Sequence, residues 1–176
     1  MRVYITDLEA YNNGHLVGAW YELPMSEDLL AESIENELQK GRDVCNSAHY
    51  HEEYFSTDYE CDYMKIDEYE SLTKLNEIAQ KMESLEMQEK TAVMLMLENN
   101  IVNSIDEAIE NIDNMICTDE EKIEDVAYSY IEESGALQGM AENLQGYFDY
   151  KALGRDIEIE GCYFRDEENI LWEFIR

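Results

Sequence analysis

The chain has 176 residues, 42 of them Asp or Glu and only 12 Lys or Arg, for a formal net charge of −30. A hydrophobic fraction of 45%, with 13 Tyr, 4 Phe and 2 Trp, supplies cores and argues against a disordered chain despite that charge. Direct nucleic-acid binding is disfavoured because it needs a basic footprint, and no apolar run approaches the ~18 residues of a membrane span.

In chain order, RVYITDL (2–8) and HLVGAWYEL (15–23) read as strands, with Asn13-Gly14 as the turn signal between them. Pro24 ends the second strand. Ser26 then caps a helix whose apolar positions are Leu29, Leu30, Ile34 and Leu38, with a stop at Gly41. Residues 42–67 look irregular and Tyr-rich, with a short strand near Tyr63–Ile66. Residues 1–67 are thus expected to form a small α+β unit.

From residue 68 the pattern turns helical. Leu72, Leu75, Ile78, Ala79 and Met82 recur at helix spacing, and a second helical segment follows around Thr91–Leu97. Ser104 and Glu107 form a capping box for a third helix, with Ile105, Ala108, Ile109, Ile112 and Ile116 on one face. On such a helix Asp106, Glu110 and Asp113 fall within an arc of about 60°, spaced roughly 4.5–6 Å along the axis. A solvated face explains that arrangement in an isolated helix, but it also approaches the rise of phosphates along a DNA strand.

Thr118 and Glu121 read as another capping box, ahead of a helix with Ile123, Val126, Ala127, Tyr130 and Ile131 as its apolar face. A helix around Glu142–Leu153 is expected to stop at Gly154 in the left-handed conformation. DIEIEGCYF and ILWEFI then read as a terminal hairpin around RDEEN. The run at 147–150 is expected to pack in a core.

Local chemistry is sparse. His49-Tyr-His51 beside Glu52 and Glu53 suggests metal ligation but lacks a third well-placed ligand, so no metal and no cofactor are expected. A metal-assisted hydrolase built on that cluster is the enzymatic rival; overall no enzyme emerges. The four scattered cysteines contain no CxxC pair and point to reduced thiols in a cytoplasmic protein. Asp119-Glu-Glu and Asp166-Glu-Glu lack EF-hand spacing.

The acids are not gathered in a tail. Residues 1–50, 51–100, 101–150 and 151–176 hold 9, 13, 13 and 7 of them. Duplex DNA carries one charge per ~1.7 Å, so thirty charges match about 50 Å of it, or roughly 15 base pairs. A decoy for a DNA-binding protein is therefore one live possibility, and an acidic adaptor or regulator of another basic DNA-binding protein is the alternative.

A family resemblance sharpens this. VYITDLEAYNNGHLVGAWYELP (3–24) resembles the N-terminal signature of the ArdA antirestriction proteins, and EEYFSTDYE (52–60) and EYESLTKLNEIAQ (68–80) resemble their central segments. YIEESGALQGMAENLQGYFDYKALGRDIEIEG (130–161) resembles their C-terminal signature with the antirestriction motif, although Ala141 stands where that pattern leads one to expect Pro, and 42–51 matches poorly.

The resemblance implies a non-enzymatic B-DNA mimic that occupies the DNA site of the methyltransferase core of type I restriction–modification enzymes. It also implies an elongated α+β protein of three small domains: α+β (1–67), helical bundle (68–116) and α+β again (117–176). The last would carry the surface of a curved homodimer, and such proteins travel on plasmids and conjugative transposons. The expected mimic surface is Asp106, Glu107, Glu110, Asp113, Glu120, Glu121, Glu124 and Asp125. The motif residues Leu144, Tyr147, Asp149, Tyr150, Gly154, Arg155 and Asp156 are expected to serve structure and dimerisation. Arg155, with Lys151 nearby, would pair with acids of its own domain or of the dimer mate.

Overall fold

The structure is a computed structural model that describes residues 1–175. It is α+β, with two small antiparallel sheets and helices, and divides into two compact units, the first spanning Met1–Leu85 and the second starting at Glu86.

In the first unit, β1 (Arg2–Asp7) is the central strand of a sheet ordered β2-β1-β3, with β2 at Gly18–Glu22 and β3 at Tyr54–Glu60. Val3 and Ile5 alternate along β1 and are fully buried, as a half-covered strand requires. They join Leu23, Leu30, Leu72, Leu75 and Ala79 in one core. Leu30 comes from α2 (Glu27–Cys45), and the last three from α3 (Leu72–Ser84). Ser26 and Ser71 cap these helices, each hydroxyl accepting a backbone N–H three residues on.

Several local expectations change here. The link from β1 to β2 begins with a short helix, α1 (Leu8–Asn12), because Asp7 caps it through Ala10 N; Gly14, at φ 85°, then makes the turn. Gly41 does not stop α2, which runs on to Cys45 and ends at Asn46 in the left-handed region. Gly41 is buried there, and a Cβ on it would strike the Asp7 carboxylate. The strand expected near 63–66 is absent among the described residues; β3 lies upstream at 54–60, where it pairs antiparallel with β1.

The second unit holds α4 (Met87–Glu98), α5 (Ile105–Glu110), α6 (Ile123–Ser134), α7 (Glu142–Gln145) and α8 (Tyr150–Glu160). Its sheet is ordered β4-β6-β5, from Met115–Cys117, Leu171–Phe174 and Tyr163–Arg165. The terminal hairpin is thus present but short. Buried side chains include Val93, Met96, Ala108, Ala127, Leu171 and Trp172.

The third helix of the pattern is cut short. α5 ends at Glu110, a 3-10 turn covers Ile112–Asn114, and Met115–Cys117 pairs with β6. Pairing with a distant strand overrides the local helical period, and Ile116 is left 44% exposed on an edge strand. Thr118 does not cap α6, which starts at Ile123. Its hydroxyl instead donates to Leu171 O at 2.8 Å and ties β4 to β6.

The largest correction concerns Gly154. It is no helix stop: α8 runs from Tyr150 through Glu160, so DIEIE is helical. Asp149 caps this helix through Ala152 N at 2.9 Å. Tyr150, Leu153, Gly154 and Ile157 are all partly or fully buried, at the spacing of a helix face. Gly154 is buried against α6, where a Cβ would come within 2.9 Å of Ile123 O. The glycine is there for close helix approach.

Candidate functional site

Asp106, Glu107 and Glu110 project from α5 and are all exposed. Only half of the expected capping box forms: Ser104 Oγ accepts Glu107 N at 3.2 Å, but Glu107 Oε2 accepts the N–H of Asn103, one residue before the cap, at 2.8 Å. Glu107 therefore has a structural duty as well as a charge. Asp113 is exposed but sits in the 3-10 turn, so the continuous arc computed for one helix does not hold.

Glu121 and Asp125 are exposed, whereas Glu120 and Glu124 are half-buried. The backbone carbonyl of Glu120 accepts Leu171 N, and that of Glu121 accepts Arg165 Nη1 at 2.7 Å. Glu124 and Asp125 occupy the first turn of α6, where the helix dipole favours negative charge. The structure thus leaves six of the eight carboxylates exposed.

The motif residues divide into two groups. Asp149, Tyr150 and Gly154 build α8: a cap, an aromatic contact and a crossing point. Tyr150 packs edge-on to Phe148 with ring centroids 4.9 Å apart and leans on Tyr128 at 5.2 Å. Leu144, Tyr147, Arg155 and Asp156 face solvent, and Tyr147 is 86% exposed, so the expected core role fails for that tyrosine. No carboxylate of the described residues lies within ion-pair distance of Lys151 or Arg155.

Acidic surroundings mark the sheet as well. Tyr163 sits across from Glu173, and its hydroxyl is held protonated well above the ordinary tyrosine range, first by burial and then by the carboxylate. In the first unit, Tyr21 is shifted the same way by burial and by donating to Glu37 Oε1 at 2.5 Å. The histidine pair that lacked a third ligand in sequence acquires one in space: Glu9, from α1, closes on His49 and His51. Glu9 was missed because 40 residues separate it from His49. An N-cap signal at Asp7 was the available hint that this acid begins a helix.

Fold and surface together define a small acidic α+β protein that presents dispersed carboxylates on compact units rather than on a tail. No helix among the described residues is long and apolar enough to cross a membrane. The chain matches the family model of the antirestriction protein ArdA over residues 3–170, nearly its whole length, and belongs to that family. No curated protein matches it.

Proposed function

We propose that the protein is a non-enzymatic antirestriction factor that acts as a B-DNA mimic. Its carboxylates take the place of backbone phosphates in the DNA site of the methyltransferase core of type I restriction–modification enzymes. The observation that carries this is the family match over residues 3–170 in a chain of net charge −30. Steering into a positive channel and releasing that channel's counterions both scale with such charge. The exposed acids Asp106, Glu107, Glu110, Asp113, Glu121 and Asp125 are the primary contact set, with Glu120 and Glu124 contributing field from partly buried positions.

The active form is a homodimer in the cytoplasm. Leu144, Tyr147 and Ile159 are exposed at 51%, 86% and 75%, and supply apolar surface in the segment that carries the motif. Three small domains in a row remain the proposed organisation of the family, with the last providing the dimer surface.

Competition tests the mechanism. The full chain should displace labelled DNA from a purified type I methyltransferase, with affinity falling steeply as salt rises. Replacing all eight acids by Asn or Gln should weaken inhibition at low salt by at least about tenfold and flatten the salt dependence. Equal inhibition by parent and eightfold variant at low salt would sink the mimicry. Failure to displace DNA, with tight binding to another basic DNA-binding protein, would favour an acidic adaptor instead.

A further inference from the structure

The junction of β1 and α1 holds a cluster that the acidic-surface function does not use. His51 is buried, its side chain fully inaccessible, and its Nδ1 lies 2.8 Å from Asp7 Oδ2. Asp7 is equally buried and already accepts Ala10 N through Oδ1. A carboxylate so placed is an acceptor, so Nδ1 of His51 carries a hydrogen, and in the neutral ring the Nε2 lone pair faces the opposite way.

That lone pair has no hydrogen-bond partner. What it faces is Glu9 Oε1 at 3.4 Å, a second acceptor. Buried polar atoms almost always find partners, and a lone pair aimed at a carboxylate oxygen is an unfavourable arrangement unless a cation lies between them. His49 Nε2 approaches the same Glu9 oxygen at 3.0 Å, while its Nδ1 is 3.1 Å from Ser47 Oγ. One ligand atom from each of Glu9, His49 and His51 thus lies within 4.8 Å of the others.

We propose that Glu9, His49 and His51 bind a divalent transition-metal cation of the zinc class, through the Glu9 carboxylate and the two Nε2 atoms. Tetrahedral ligands at about 2.0–2.2 Å from an ion stand about 3.3 Å from one another. The observed separations of 3.0 and 3.4 Å bracket that value. Two imidazoles select zinc-like ions over magnesium or calcium, which prefer all-oxygen shells. Asp7 orients His51 and Ser47 orients His49, the outer-shell support that histidine ligands usually carry. Three protein ligands leave a fourth position for water on the side of His49, which is 69% exposed. The ion clips the loop at 47–51 onto α1, so its binding stabilises the first unit.

Cobalt titration of the full-length chain tests this after removal of metals by a chelator. Excess magnesium should be present to occupy the diffuse acidic surface. One equivalent of Co²⁺ should bind and produce the visible ligand-field absorption of a four- or five-coordinate nitrogen–oxygen site. His49→Ala, at an exposed position, should fold normally yet lose at least about tenfold in affinity. Zn²⁺ should raise the melting temperature of the parent and not of this variant. Glu53→Gln, outside the ligand set, should change neither. Uptake that magnesium displaces completely, or equal Co²⁺ affinity in the parent and His49→Ala, overturns the site.

Discussion

The two units treat ionisable groups in opposite ways. In the first, Asp7, Glu37, Arg42 and His51 are buried, and each is engaged. Glu37 Oε1 accepts both Tyr21 Oη and Lys40 Nζ, while Arg42 reaches Glu35 at 2.6 Å and lies 4.9 Å over the Tyr50 ring. In the second, the buried side chains among the described residues are all apolar, although residues 86–176 carry 23 acids against six bases. Charge in the first unit is partly internal wiring, whereas charge in the second stands on the surface. A buried charge must be paired at a desolvation cost, while an exposed one stays hydrated and free to meet a partner. The second unit is therefore the better place to look for carboxylates whose role is recognition.

The contrast can be broken most strongly at Asp7. Asp7→Ala strips His51 and Ala10 N of a buried acceptor and should cost about 3 kcal/mol in urea unfolding. The same change at exposed Asp125 should stay within about 0.5 kcal/mol. Similar losses at both positions would erase the distinction between the units.

A smaller effect is expected at Gly154. Gly154→Ala forces a methyl toward Ile123 O, which should destabilise the second unit by about 2 kcal/mol, read as a lower midpoint of unfolding. An unchanged midpoint would mean that α6 and α8 give way more easily than their close approach suggests.

Least disturbed should be the fold of Arg155→Ala. With no carboxylate of its own chain within reach among the described residues, its loss should move monomer stability by less than about 0.5 kcal/mol. The dimer proposed above should dissociate more readily in sedimentation. A large fall in monomer stability with unchanged association would return Arg155 to an internal role.

Composition and local pattern determined much of this protein. The acidity follows from composition, the caps at Ser26 and Ser104 and the apolar faces of α2 and α3 from side-chain chemistry at helix spacing, and the family from the resemblance of its ordered motifs. What failed in sequence depended on distant partners. Ile116 looked like a helix residue until β6 offered a strand to pair with, and Gly154 looked like a stop until α6 lay against it. DIEIE alternates like a strand, yet an Asp149 cap and a packed neighbour wind it into α8. Only tertiary structure could bring Glu9 to His49 and His51, or decide which of 42 acids are buried and which face water. Periodicity reports a residue's own turn or strand; burial and ligation are set by chain segments that sequence proximity does not reveal.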